Sequence, residues 1–120
     1  MGGGGPKNPS QQPQWKEVQE VIGTYTEEWC AHLEKITDPK LRACIKKSCD
    51  TGTITCKQKC DPDAGGWSMP KILFKVSRTA NLCPNNWPEW TPPSYAGDTV
   101  IHEWAHGCGW KHGQDKGVPD

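Results

Sequence analysis

A chain of 120 residues holds one small domain and leaves no room for two. With 33% hydrophobic residues, 23% charged ones and a mean hydropathy of -0.80, its core must be modest and calls for metal or disulfide staples. Fourteen acids offset fourteen bases, so the charge balance points to no nucleic acid partner, and no apolar run approaches a membrane span.

The opening, residues 1–13, is Gly-rich and then Pro/Gln-rich and reads as a flexible linker or tag. It has no apolar centre for a signal peptide. The domain then occupies 14–120. From Gln14 to Lys35 the apolar positions are Trp15, Val18, Val21, Ile22, Tyr25, Trp29 and Leu33, at gaps of three and four apart from the adjacent Val21–Ile22 pair, the spacing of one helical face. Asp38 as cap and Pro39 at the first helical position predict a second helix, with Leu41, Cys44 and Ile45 facing inward. "CDTG", Cys49 to Gly52, reads as a turn, "TITC" as a short strand and "DPDAGG" as a loop. "KILFKVS", Lys71 to Ser77, is β-branched and aromatic and reads as the principal strand. Four prolines between Cys83 and Gly97 predict an extended, constrained loop, and Asp98 reads as the N-cap of a last helix carrying "TVIHEWAH". The sum is an α+β domain: N-terminal helices, a small sheet and a C-terminal helix that bears the chemistry.

Seven cysteines in so small and polar a chain predict disulfides, and with them an oxidising destination, secreted or periplasmic. An odd number leaves at least one free or bonded elsewhere. The spacing from Cys44 to Cys60 fits no common zinc pattern, and the pairing is not legible. Seven tryptophans against one Phe and two Tyr supply much of the apolar area and read as packing. The basic cluster Lys40, Arg42, Lys46, Lys47, Lys57 and Lys59 contains no aromatics and reads as a solvated face.

The densest chemistry is "HEWAHGCGWKH", His102 to His112, with three of the four histidines. Residues four apart on a helix lie one above the other, so His102 and His106 can aim at a single point. Glu103 is turned by about 100° from His102 and lies beside a metal held there, where a carboxylate can deprotonate water. Val100, Ile101, Trp104 and Ala105 face the core. Gly107 and Gly109 end the helix by accepting positive φ, so that the chain turns back and His112 becomes a third ligand. Three protein ligands leave a position open, the mark of catalytic rather than structural zinc.

His102, Glu103, His106, Gly109 and His112 match H-E-x-x-H-x-x-G-x-x-H and so resemble the extended zinc signature of the metzincin clan of metallopeptidases. The resemblance covers eleven residues. It implies a zincin-like fold, Zn2+ on His102, His106 and His112, and Glu103 as general base for hydrolysis of peptide or protein substrates. It also implies an edge strand that pairs with extended substrate, for which "KILFKVS" is the candidate. The chain departs from the clan in having no Met-turn, because Met1 and Met69 both precede the motif. A substrate pocket must then come from upstream, from the Cys83 to Gly97 loop and the helix near Trp29. Small size, a linker-like start and a terminal H-E-x-x-H also look like the metallopeptidase domains that end bacterial polymorphic toxins, which would imply a cognate immunity protein as partner.

Two other functions keep part of this pattern: a zinc amidase acting on peptidoglycan, and a disulfide-rich binding module whose zinc is structural. Among the remaining residues, Asp115 is weighed as a support for a ligand histidine against a solvated acid, and Tyr95 as an oxyanion donor against packing. His32 is read as structural or exposed, and Cys108 as a disulfide or buried thiol rather than a ligand.

Overall fold

The computed structural model describes residues 12–56, 66–69, 75–83, 86–87 and 94–119, with side chains from residue 22 onward and the backbone alone at Cys56. Within these residues the expected α+β architecture is present: three helices, a three-stranded sheet and a last helix that carries the histidine motif. Helix α1, Gln12–Ala31, passes through Gly23 and is followed by a single 3-10 turn at Leu33–Lys35. Its described buried residues, Ile22 and Thr26, are one turn apart, and Leu33 continues the apolar side.

Helix α2, Pro39–Thr51, starts as its sequence dictates. Asp38 is in extended conformation and its carboxylate accepts the N–H groups of Lys40 and Leu41, while proline takes the first turn. Lys116 donates to the other oxygen at 2.9 Å; this bond first, then the Leu41 N–H, holds the Asp38 pKa below its ordinary value. The helix runs on through most of the expected "CDTG" turn: Cys49, Asp50 and Thr51 are helical and only Gly52 closes it. The Cys30–Cys49 disulfide ties this last turn of α2 to the end of α1.

The sheet has the order β1-β3-β2. Strand β1, Thr53–Cys56, is the expected "TITC" and pairs in parallel with β3, Thr79–Leu82. Strand β2, Gly66–Trp67, pairs antiparallel to β3, Gly66 opposite Leu82. The central strand of the described sheet is "TANL", β3. Of the expected strand "KILFKVS", residues 71–74 lie outside the described residues; Lys75 makes only an isolated bridge, and Val76 and Ser77 belong to no strand. Ala80 and Leu82 are fully enclosed between β1 and β2, with Asn81 bonded on both sides, to Thr55 Oγ1 and to the Trp67 carbonyl. Most of the "DPDAGG" loop and of the proline-rich segment also lies outside the described residues.

Helix α3, Ser94–Gly107, begins four residues before the expected cap. Asp98 is inside it, and its carboxylate instead accepts the indole N–H of Trp29 at 2.8 Å. Val100, Ile101, Trp104 and Ala105 are buried as the motif's periodicity predicts, and join Ile36, Ile45 and Leu82 in one core. Trp87, Trp104 and Trp110 are core residues, Trp29 is half-buried and Trp67 is exposed. In the basic cluster, Lys40, Lys46 and Lys47 are exposed as anticipated. Ile45 is completely enclosed, so Ile45→Ala should cost about 2–5 kcal/mol, measured as a lower urea midpoint at unchanged slope.

Candidate metal centre

Helix α3 presents His102 and His106 on one side, one turn apart. It ends at Gly107, which does not take positive φ; that conformation falls to Gly109 alone, at φ 103°. The chain then doubles back, with Trp110 N–H on the Ala105 carbonyl at 3.0 Å, and brings His112 beside the first two histidines. The three Nε2 atoms form a nearly equilateral triangle: 3.0 Å from His102 to His112, 3.0 Å from His106 to His112 and 3.1 Å from His106 to His102. The residues that the motif spacing singles out thus converge.

The other ring nitrogens decide what this triangle is for. His102 Nδ1 lies 2.7 Å from the Pro119 carbonyl and His106 Nδ1 lies 2.9 Å from the Trp110 carbonyl. A carbonyl only accepts, so each Nδ1 is the protonated nitrogen and each Nε2 of a neutral ring presents a lone pair. Lone pairs 3.1 Å apart repel. A proton on His112 could relieve only one edge, whereas a cation relieves all three. A triangle this small also lets one point lie at the roughly 2.0–2.1 Å that zinc prefers from imidazole nitrogen. The group His102, His106 and His112 can hold a metal ion, and its donor set suits zinc. Burial, and after it the neighbouring His102 and His112, hold the His106 pKa below 6.5 against the Trp110 carbonyl, which keeps that ring in its ligating form.

Glu103 lies beside the triad on the same helix but turned inward, and is only 6% exposed. Strand β2 crosses its face closely: a Cβ on Gly66 would lie 2.8 Å from Thr99 Cγ2 and 3.3 Å from Glu103 Cγ. Ser68 donates from Oγ to Glu103 Oε1 at 3.3 Å. Desolvation pushes the Glu103 pKa up to about 7, against the lowering effect of the Ser68 hydroxyl. Glu103 is thus a buried carboxyl with a raised pKa on the helix that carries His102 and His106.

Cys108 is neither a ligand nor a free thiol. It is bonded to Cys44 across 64 residues, so α2 is stapled to the turn between the second and third histidines. Cys83 is disulfide-bonded too. His32 is exposed and pairs with Glu34 at 3.2 Å, Tyr95 packs edge-on against Trp87 with centroids 5.4 Å apart, and the exposed Asp115 carboxylate accepts the Gly117 N–H at 3.4 Å. Asp115 therefore supports no ligand histidine through its side chain; backbone carbonyls do that work, and a carbonyl has no residue signature to find. Ser68 is equally silent in the sequence, because a lone serine in a turn carries no signal until the sheet brings it to the helix.

A groove of about 360 Å³ opens between α1 and the start of α3, lined by Tyr25, Trp29, His32 and Asp98 among others. No known protein family, curated protein or solved structure matches the chain.

Two outcomes are expected. In metal-free protein Glu103 is ionised above pH 7 in a site that disfavours its charge. Because its folded pKa lies above the unfolded value of 4.5, it costs stability at high pH and that cost vanishes as pH falls toward 4.5. Glu103→Gln should then stabilise the apoprotein at pH 8 by on the order of 1–3 kcal/mol, with the gain lost near pH 4.5 in urea titrations with chelator present. Replacing Cys44 and Cys108 by alanine should lower stability by about 2–5 kcal/mol and also weaken metal binding, whereas the same change at Cys30 and Cys49 should lower stability alone; denaturation and metal titration of the two double variants separate these effects.

Proposed function

We propose that this protein is a small zinc-dependent metallopeptidase, similar at its site to the metzincins. The observation that carries the reading is the convergence of three imidazole Nε2 atoms within 3.1 Å, in one eleven-residue motif that also holds the buried carboxyl of Glu103. His102, His106 and His112 would hold the ion. Zinc, when bound, supplies a Lewis acid that polarises the scissile carbonyl and acidifies water. Glu103 takes a proton from the attacking water and passes it to the leaving amine, with the Ser68 hydroxyl fixing its orientation. The groove at Trp29 and Asp98 is the described feature nearest to the substrate pocket expected upstream of the motif.

The partial exposure of His102 and His106 and the exposure of His112 favour an accessible ion over a closed structural one. A structural zinc also has no use for a buried carboxylate beside it. A peptidoglycan amidase would share this site, and substrate distinguishes the two. Disulfides at Cys30–Cys49 and Cys44–Cys108 suit action in an oxidising, secreted or periplasmic setting, as does delivery as a toxin domain. No helix among the described residues is long and apolar enough to cross a membrane.

Metal analysis of purified protein should find about one zinc per chain. A peptide-library digest should show cleavage that falls by roughly 10²–10⁴-fold in Glu103→Gln while zinc content stays the same. Zinc without cleavage of any peptide, but with release of peptidoglycan fragments, would move the assignment to the amidase.

A further inference from the structure

The three candidate ligand rings share one more neighbour. The indole of Trp110 lies against all of them, with ring centroids 5.1 Å from His102, 5.0 Å from His106 and 5.6 Å from His112. Trp110 is 3% exposed, so it forms a closed floor under a triad that reaches solvent at His112. Its backbone serves the site as well, since its carbonyl accepts the His106 Nδ1–H.

What holds Trp110 also holds His102. The indole N–H donates to the Asp115 carbonyl at 3.1 Å, and the same carbonyl accepts the Val118 N–H at 3.0 Å. Pro119 follows, and its carbonyl takes the His102 Nδ1–H. Asp115 and Lys116 both adopt positive φ, 59° and 55°, an uncommon conformation outside glycine that folds this segment back on itself. The fold clasps it from outside: Thr37 N–H donates to the Lys116 carbonyl at 2.9 Å, Lys116 pairs with Asp38, and Val118 is buried.

We propose that Trp110 is a positioning residue for the metal site: its indole, and the segment to Pro119 that it organises, hold the three imidazoles oriented toward one ion. The proposal rests on the triad being a metal site and is independent of peptide hydrolysis. An imidazole on a helix can still rotate about its Cβ–Cγ bond, and rotation by a fraction of a radian spoils ligation. Carbonyls fix that angle for His102 and His106. His112 stands beyond the helix on a turn, and the near-perpendicular contact of its ring with Trp110, at 87°, is its stop. Rings held in place before the ion arrives lose less freedom when it binds.

The test compares Trp110→Ala, Trp110→Phe and a chain ending at Gly117 with wild type. Zinc affinity is read by competition with a chromogenic chelator, and ligand geometry by the visible absorption of the cobalt(II) form. Ile22→Ala serves as control, because Ile22 is 2% exposed on α1 and its loss weakens the fold without removing a ring that stands against the histidines. The expected result is a loss of about 10–100-fold in zinc affinity with altered cobalt bands for Trp110→Ala and for the shortened chain. Trp110→Phe, which keeps a ring but not the bond to Asp115, should fall between these and wild type. Ile22→Ala should lower apoprotein stability and leave affinity and spectrum unchanged. Wild-type affinity and spectrum in folded Trp110→Ala, or in Trp110→Phe and the shortened chain should Trp110→Ala not fold, would overturn the proposal. So would an equal affinity loss in Ile22→Ala. A wild-type chain that binds no metal overturns both this proposal and the metallopeptidase reading, whereas one that binds zinc and cleaves nothing overturns only the latter.

Discussion

The angular position of α3 about its own axis is the constraint on which everything else in this small protein depends. The helix must bury Val100, Ile101, Trp104 and Ala105 while keeping His102 and His106 within reach of solvent, and fourteen residues leave little to hold it. Three neighbours fix it. Helix α1 closes against its first turns, where Asp98 accepts the Trp29 indole. The sheet covers the side of Glu103, through Gly66 and Ser68. The Cys44–Cys108 disulfide fixes its exit. A rotation of the helix by even one residue's share, about 100°, would exchange Glu103 with a ligand position. The modest core is therefore concentrated around one helix.

Much of this arrangement is written locally. The motif spacing places His102 and His106 together because helical geometry is indifferent to tertiary context, the glycine at 109 marks the turn that brings back His112, and the start of α2 at Asp38 and Pro39 is legible from equally local signals. What sequence reading misses is nonlocal. "TANL" is the central strand because β1 and β2 both pair with it, a placement its own composition does not announce. Asp98 has the chemistry of a cap and is recruited across 69 residues by an indole instead. The end of α2 is tied to α1 by a disulfide whose pairing no spacing rule reveals. Trp110 is legible only as apolar mass, since its three ring contacts exist only once the chain has turned at Gly109.

The segment between Trp110 and Pro119 supplies two carbonyls to the candidate ligand histidines and returns to the domain at Thr37 and Asp38. Backbone groups suit a short segment, because they are supplied by every residue and need no particular side chain.

Three ties around the candidate metal centre are long in sequence, 64 residues from Cys44 to Cys108, 69 from Trp29 to Asp98 and 78 from Asp38 to Lys116. A growing chain emerges N-terminus first, so α1, α2 and β1 are made before any ligand exists to be positioned, and closing such distant contacts is slow. The bond at Cys108 moreover forms only where thiols are oxidised. The centre is thus the last part of the molecule to mature. Between synthesis and oxidation there is an interval in which the histidines are present but not yet tethered, so a reducing compartment would hold the protein in that immature form.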